Sequence, residues 1–225
     1  RNGKKERKSL RRTLRWLNWM VVHGRLMCQG ERINRLMKIN LPFESEFVTI
    51  FPAPNADKIV DLMDFHINKN ELHNENFKWG EYCKCDRILL SWRELHPLLE
   101  PSLNILFQEL NKDVKVNYSI YDPWISAYKP GYFQEVHCHH GHDISCVFFA
   151  NNGDNFGKFF FLDRQTNGYS EQYCKLMSYS NIKRPIIKAG DIMFFSSDLF
   201  HGVSSHENDI VRKTLSTNFD IVEIK

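Results

Sequence analysis

The second half of the chain consists of short runs of β-branched and aromatic residues, and this pattern restricts the fold more than any other feature. Turns that contain Gly, Asn and Asp separate the runs, which is typical of strands joined by tight connections. Many short strands after a helical opening predict an α+β fold that is mainly β, a sandwich or barrel with helices packed on one face. The candidate strands are 114–121, 124–129, 132–137, 144–150, 157–162, 184–188, 191–196, 199–204 and 211–219.

Two amphipathic helices are predicted before these strands. The first begins after Asn55, which can cap a helix, and has apolar residues at helical spacing. The second is expected over 94–111, where leucines form the buried face although Pro97 and Pro101 stand near its start. The polar stretch 68–86 between them is predicted to be a loop.

The first 36 residues differ from the rest of the chain in charge. They contain 11 Lys or Arg and two Glu, whereas the remaining 189 residues carry a net charge of −6. Their leucines recur at helical spacing, so a basic amphipathic helix is possible, one that contacts a membrane surface or a nucleic acid or that serves as a targeting segment. In the alternative interpretation, Met37 is the true start and residues 1–36 are not native.

Length and composition suggest one domain over 37–225, with a helical part at about 37–112 and a β core at about 113–222. The acidic balance of this part argues against a nucleic-acid partner except through residues 1–36. No membrane partner is expected, since no apolar run approaches the roughly 20 residues of a membrane span. Six cysteines at irregular spacing predict reduced thiols and a cytoplasmic location.

Four of the ten histidines lie within residues 137–142. If this segment is extended, side chains two positions apart face the same way, so His137 and His139 project together. Two imidazoles on one face can chelate a transition metal, and a third ligand must come from elsewhere in the chain. His201, at the edge of a predicted strand, is the candidate. His140 and His142 are expected to be solvated loop residues.

A polar row is predicted on the strand that follows His201. Alternation places Arg212, Thr214, Ser216 and Asn218 on one face, where a packed core would have aliphatic side chains. A guanidinium with a hydroxyl two residues away can clamp a carboxylate through bidentate hydrogen bonds and a third donor. The alternative is a solvated edge strand.

The order and spacing of these residues resemble the iron(II)- and 2-oxoglutarate-dependent dioxygenases. Within this superfamily the chain is similar to a group of short bacterial and phage-type proteins related to the prolyl-hydroxylase-like branch. The resemblance covers roughly the C-terminal hundred residues, and the helical part matches only in kind. The matched segments are 128–137 (YKPGYFQEVH), His139, 144–149 (ISCVFF), 157–163, 190–197 (GDIMFFSS), 201–203 and 212–218.

The resemblance implies a double-stranded β-helix, or jelly roll, with a metal at one mouth of the barrel. It also implies that His137 and His201 bind Fe(II). The superfamily commonly has His-x-Asp or His-x-Glu, whereas His139 occupies the carboxylate position here. A neutral set of three histidines would leave the full charge on the iron. Asp143 is the alternative carboxylate.

The resemblance further implies that Arg212 binds the distal carboxylate of 2-oxoglutarate, with Thr214 and Tyr128 as hydroxyl partners. Ser216 and Asn218 could line the same pocket. The implied reaction consumes dioxygen, releases succinate and CO2, and hydroxylates a C–H bond of a protein side chain or a small metabolite. Ascorbate could serve as an auxiliary reductant, and the cytoplasm could be that of a phage-infected bacterium.

Two rival functions remain open from the sequence. One is a three-histidine cupin-type oxygenase that uses no cosubstrate, and the other is a non-catalytic jelly-roll module that keeps a metal for structure. The predicted clamp at Arg212 and Thr214 argues against the first. Only three plausible ligands are visible, whereas a structural metal site usually has four, which argues against the second.

Overall fold

A computed structural model describes residues 46–69, 83–121, 123–163 and 170–225 of the chain. The predicted basic helix and the boundary at Met37 lie outside these residues. In this part of the chain there are three helices and 12 strands. They are β1 (Val48–Pro52), α1 (Ala56–Lys69), β2 (Cys83–Lys84), β3 (Asp86–Leu89), α2 (Trp92–Asn111), β4 (Val116–Ile120), β5 (Trp124–Tyr128), β6 (Phe133–His137), β7 (Ile144–Phe149), β8 (Phe159–Leu162), α3 (Glu171–Met177), β9 (Ile182–Lys183), β10 (Asp191–Ser196), β11 (His201–Val203) and β12 (Arg212–Ile224).

The larger sheet has seven antiparallel strands. Its order is β1-β10-β7-β12-β5-β3, and β4 also pairs with β12. The long strand β12 has two successive partners on one side, because Arg212–Ser216 pair with β5 and Phe219–Ile224 pair with β4. On its other side, β12 pairs with β7. β12 therefore connects β4, β5 and β7 within the larger sheet.

The smaller sheet has five antiparallel strands in the order β2-β6-β11-β8-β9. β11 lies between β6 and β8, with His201 directly opposite His137. Gly202 follows at a point of close approach, since a Cβ there would lie 2.9 Å from the Phe160 ring and 3.0 Å from the Gln134 carbonyl oxygen. A side chain at this position would separate strands that must stay adjacent.

Two hydrophobic cores lie on opposite faces of the larger sheet. Alternate residues of β10 divide between them: Ile192 and Phe194 pack with α1 and α2, whereas Met193 and Phe195 pack between the two sheets. All four side chains are fully buried. Because β7 and β10 are covered on both faces, they are almost continuously apolar. The predicted double-stranded β-helix with helices packed on one face is confirmed.

Local differences from the sequence-based prediction have physical reasons. The expected strand at 184–188 is wrong, because these residues are irregular and include Pro185, which cannot donate to a ladder. β2 and the first residue of β3 lie in the stretch 68–86 that was expected to be a loop, and the rest of β3 was not predicted. Pro97 and Pro101 stand inside α2, which begins after Ser91, whose hydroxyl accepts a hydrogen bond from the Arg93 N–H.

Helix α3 belongs to a different compact unit from the two sheets. Ser170 caps it by accepting a hydrogen bond from the Tyr173 N–H, and Ser178 ends it with a φ of 50°. This helix was not predicted from the sequence. None of the helices in the residues given above is long and apolar enough to cross a membrane.

Candidate metal centre and the adjoining pocket

Three histidines meet at one end of the space between the sheets. His137 ends β6, His201 begins β11 as its cross-strand partner, and His139 lies two residues beyond β6. One nitrogen from each ring lies within 4.8 Å of the other two. Among the residues that the structure describes, these three form the group that could hold a metal ion. The structure thus brings together the three histidines singled out from the sequence.

Each of these rings is oriented by an oxygen atom at its Nδ1. An oxygen acceptor at Nδ1 assigns the proton to that nitrogen and leaves the lone pair of Nε2 available for a metal. The acceptors are the Glu135 carbonyl for His137 at 2.9 Å, the Leu199 carbonyl for His201 at 2.8 Å and the Asn218 side-chain oxygen for His139 at 2.7 Å.

The Nε2 atoms of His137 and His139 lie only 3.2 Å apart. With both protons on Nδ1, two lone pairs face each other across this gap. Such lone pairs repel each other unless a cation lies between them, so the geometry fits a shared metal ion. The donor set of three imidazoles suits Fe(II), Zn(II) and other first-row transition metals.

Burial keeps these imidazoles neutral. Loss of solvent lowers the pKa of His139 to about 4 and lowers the pKa of His201 well below its ordinary value. The pKa of His137 is also lowered, again chiefly by burial. A metal binds the neutral form of histidine, so around neutral pH the cluster would bind an ion without first losing protons.

Aromatic packing holds His201 in place. Its ring stacks on Phe159, with centroids 5.3 Å apart and an interplanar angle of 15°, and meets Phe195 edge-on at 4.9 Å. On the other side of the cluster, the turn after His139 passes through Gly141, whose φ of 90° favours glycine. A rigid strand and a tight turn therefore position the three rings.

Asp143 has another partner. Its carboxylate accepts a hydrogen bond from the Ile221 N–H at 2.8 Å, and it is not part of the group of three. His140 and His142 face aspartates, at 3.7 Å from Asp198 and 3.1 Å from Asp220. The residues that reach the centre are therefore all histidines.

Arg212 is buried beside the cluster without an anionic partner. Its side chain lies over the ring of Tyr128, at 4.9 Å, and that of Phe149, at 5.7 Å. Only 4% of the residue is exposed, its Nη1 atom has no hydrogen-bond partner, and no described carboxylate pairs with it. Burial lowers the pKa of Arg212, yet a guanidinium stays charged in proteins. An anion that enters the pocket would offset the cost of this buried charge.

A single pocket connects Arg212 to the histidines. Thr214 and Ser216 line it from the same face of β12, as the alternation predicted, and Tyr128 lines it from β5. Asn218, which was expected in this pocket, instead accepts the hydrogen bond from His139 and lines the open side of the cluster. The complete lining is Trp124, Ser126, Tyr128, Gln134, His137, His139, Val147, Phe159, His201, Val203, Arg212, Thr214 and Ser216.

Gln134 and the two residues that precede Tyr128 on the same face of β5 were not predicted as part of the site. Gln134 links its two ends, because its carbonyl oxygen accepts a hydrogen bond from the Tyr128 hydroxyl at 3.0 Å and its amide lies 3.1 Å from the His137 Nε2. Trp124 and Ser126 share the face of Tyr128 on β5. Alternation backwards from Tyr128 could have found these two residues, whereas no local signal marks Gln134.

The fold and the site define a class: a double-stranded β-helix with a transition-metal centre next to a buried cationic clamp. A family model described as "Putative 2OG-Fe(II) oxygenase" matches residues 122–218, which contain all of the histidines of the centre and the polar row. Residues 122–218, which hold the whole site, are thus similar to the Fe(II)- and 2-oxoglutarate-dependent oxygenases, and the protein is an enzyme of that kind.

Solved structures agree with this fold. The carbocyclase SnoK from nogalamycin biosynthesis is 12% identical, with a TM-score of 0.57 over 78% of this chain and 79% of that chain. A Pseudomonas putida prolyl-4-hydroxylase is 13% identical, with a TM-score of 0.52 over 78% and 93%. A Trichoplax adhaerens prolyl hydroxylase, solved with a peptide, is 11% identical, with a TM-score of 0.53 over 77% and 83%. No curated protein matches the chain.

Proposed function

We propose that His137, His139 and His201 bind Fe(II) through their Nε2 atoms and that the enzyme hydroxylates a C–H bond of an organic substrate. The observation that carries this proposal is the orientation of the three rings. Each Nδ1 faces an oxygen acceptor, and the remaining nitrogens converge within 4.8 Å. Hydrogen bonds of this kind orient metal ligands in proteins and raise their basicity.

Arg212 is proposed to bind the distal carboxylate of 2-oxoglutarate. Its buried and unpaired guanidinium offers two parallel N–H donors to a carboxylate, a geometry that a lysine would not reproduce. The hydroxyl of Thr214 is an additional donor, and Tyr128 would become one by exchanging its hydrogen bond to the Gln134 Oε1 for one to the carboxylate. Ser216 completes the polar lining. A dicarboxylate in this pocket would have one end at the guanidinium and the other at the histidines.

When bound together, Fe(II) and 2-oxoglutarate supply the oxidising chemistry, with dioxygen as oxidant and succinate and CO2 as products. The chain supplies geometry and exclusion of water. Phe159 and Val147 close the pocket wall, so that bulk water is kept from the reacting atoms. Metal binding at His137 would withdraw its Nε2 from the Gln134 amide, which leaves that amide free for the cosubstrate or for the Tyr128 hydroxyl.

The substrate would enter from the open side of the cluster. Trp124, Arg87, His140 and His142 surround this opening, together with Cys138 and Asn218. Dioxygen and an organic substrate are the partners of any oxygenase of this class. The three structures described above include one from nogalamycin biosynthesis and one with a peptide, so both a small metabolite and a protein side chain are candidate substrates for this chain.

We also propose a single domain over 37–225 and a non-native or flexible segment at residues 1–36. Reduced thiols, a cytoplasmic location and the use of ascorbate are further proposals. Any nucleic-acid contact is proposed to be restricted to the basic segment. The cysteines in the described ranges form no disulfide. Mass spectrometry of the natural product would test the boundary, since a peptide from residues 9–30 would show that the basic segment is native.

An anaerobic titration with Fe(II) and then 2-oxoglutarate tests the proposed function. We expect the visible charge-transfer band of a keto acid chelated to iron in the unchanged protein. It should disappear in His201→Ala and need far more cosubstrate in Arg212→Met. His140→Ala is the matched control, because this histidine lies beside the cluster but outside the group of three, and it should keep the band.

Two results would contradict the proposal. Iron binding without a band at any 2-oxoglutarate concentration would favour a cupin-type oxygenase or a structural metal. An assay for succinate distinguishes the proposed enzyme from both rivals, since neither a cupin-type oxygenase nor a structural metal site forms succinate. An unchanged iron affinity in His139→Ala would remove that residue from the ligand set and reopen the search for a carboxylate.

A further inference from the structure

A second cavity shares Arg212 and Phe159 with the histidine pocket but contains none of the histidines. It has a volume of about 340 Å³, within the range of small-molecule sites. We propose that this cavity binds an organic anion, a carboxylate or phosphate with an apolar body, distinct from the 2-oxoglutarate of the proposed function. We name it the rear cavity.

The charges around the rear cavity favour an anion. Lys158, Arg184 and Arg212 line it, and no carboxylate does. In the described part of the chain, neither Lys158 nor Arg184 takes part in an ion pair, and the Nη1 atom of Arg212 lacks a hydrogen-bond partner. Three cations around one concave surface repel one another, so a bound anion would relieve this repulsion and be attracted by all three.

The walls of the rear cavity add an apolar requirement. Phe149, Phe156 and Phe159 contribute rings, and Ile186 is 87% exposed at its edge. Covering an exposed isoleucine side chain with a ligand is favourable, because apolar surface is removed from water. The ligand should therefore have an apolar or aromatic body attached to its anionic group.

Two asparagines hold the walls in place through hydrogen bonds within the protein. The Asn152 side chain donates to the Ile187 carbonyl, and Asn151 bridges the Val211 carbonyl and the Lys213 N–H. Recognition thus depends on the cations and the rings. This assigns the specificity to charge and apolar area, with no hydrogen-bonding pattern that would demand one compound.

Binding in the rear cavity should weaken binding of 2-oxoglutarate. A guanidinium has five N–H donors, so Arg212 can contact ligands in both spaces. Two anions at one buried cation repel each other, and by thermodynamic linkage each lowers the affinity of the other by the same factor. This coupling rests on the proposed function, whereas anion binding in the rear cavity does not.

Calorimetry of the full metal-free chain tests the binding, with benzoate as the probe. We expect benzoate to bind and benzylamine, its cationic counterpart, to show no binding. The double variant Lys158→Gln/Arg184→Gln should weaken benzoate binding about fivefold or more, which corresponds to about 1 kcal/mol for the loss of two exposed charges. Lys183→Gln, which removes an exposed charge next to Arg184 but outside the cavity, should leave it unchanged.

The calorimetric outcomes distinguish binding in the rear cavity from binding elsewhere on the protein. Equal affinity of the double variant and the unchanged protein would overturn the proposal, because benzoate would then occupy the 2-oxoglutarate pocket or another surface. Equal binding of benzylamine would also overturn it. Both cations of the double variant are exposed, so loss of folding is not expected to confuse the result.

The coupling is measured with Fe(II) present, as the ratio of apparent 2-oxoglutarate dissociation constants with and without benzoate. We expect a ratio above one in the unchanged protein, close to one in the double variant and unchanged in Lys183→Gln. An unchanged ratio in the double variant would show direct competition in one pocket and would contradict a separate site. Absence of the iron band in all variants would instead reject the proposed function and leave the calorimetric result standing.

Discussion

The two faces of the larger sheet make different contributions. On the face covered by α1 and α2, most buried side chains are apolar, as Leu215 and Phe194 illustrate. On the face towards the smaller sheet, the same strands carry buried polar groups, among them Arg212 and Thr214. Since adjacent residues of β12 point to opposite faces, one set of alternate residues packs in the core below the helices and the other set lines the site. Substitutions on the helix-covered face should therefore lower stability, whereas those on the opposite face should weaken ligand binding.

Phe194→Ala should have the largest effect on stability. Phe194 is fully buried and stacks against Phe51 on the helix side. Removing the ring loses its burial and leaves a cavity, which costs about 3–5 kcal/mol. Urea denaturation measures the change, and Phe65→Ala, at a ring that is 58% exposed, should cost far less. A Phe194→Ala protein of normal stability would contradict the assignment of this face to the core.

His201→Ala tests the opposite face. We expect iron affinity to fall at least about a hundredfold, since one of three ligands is lost, which corresponds to about 2.7 kcal/mol. The free energy of unfolding of the metal-free protein should change less than it does in Phe194→Ala. Anaerobic calorimetry with Fe(II) and urea denaturation give the two numbers. A variant that loses stability but keeps its iron affinity would reverse the comparison.

Arg212→Met should have opposite effects on cosubstrate binding and on the stability of the free protein. Binding of 2-oxoglutarate should weaken by a factor of about 30 or more, as expected when a buried charged hydrogen-bond partner is removed. The free protein should become more stable by about 1–3 kcal/mol, because an unpaired buried charge is replaced by an apolar side chain of similar length. Calorimetry with 2-oxoglutarate and urea denaturation measure the two effects.

Its neighbour supplies the control for this prediction. Lys213 points to the other face, where it pairs with Asp64 at 2.6 Å. Lys213→Met should leave 2-oxoglutarate binding unchanged and should not stabilise the protein. If Arg212→Met instead destabilised the free protein, the aromatic contacts of the guanidinium would outweigh its desolvation.

Asn218 is expected to give the smallest of these effects. Asn218→Leu removes the acceptor at the His139 Nδ1 and should weaken metal binding by roughly tenfold, the lower end of the range for such partners. Asn218→Asp keeps an acceptor and should restore the affinity, because a carboxylate raises the basicity of the ring. The visible spectrum of the Co(II)-substituted protein reports whether His139 still coordinates. Equal affinities in both variants would show that Asn218 only fills space.

Residue patterns revealed most of the site because β-strand alternation is strict. His137 and His139, or Arg212 and Thr214, project together wherever the backbone is extended, so their faces were predictable. His201 was the candidate third ligand from its place at a strand edge, but its register opposite His137 was not predicted, since no local rule joins residues 64 positions apart. The position of Asn218 was missed, because the end of the row lies beside His139 and not beside Arg212.

The elements that were missed have short or polar sequences. β2 has two residues and β3 four, so neither shows a clear alternation. They pair with β6 and β5, respectively. Their stability comes from tertiary contacts that local propensity does not report. Gln134 was missed for the same reason, since its partners are defined only when β5 and β6 lie close together.

The double pairing of β12 has a consequence for engineering the chain. Between Arg212 and Asn218 an inserted residue would reverse every following side chain, and would disturb the cosubstrate clamp and the His139 anchor together. Beyond Phe219 the strand already tolerates an irregularity in its pairing, between Ile221 and Glu223, and its last three residues are exposed. Affinity tags, fluorescent fusions or tethers to a surface therefore belong beyond Lys225, whose backbone still pairs with Lys115, so that added length does not shift the register of the site.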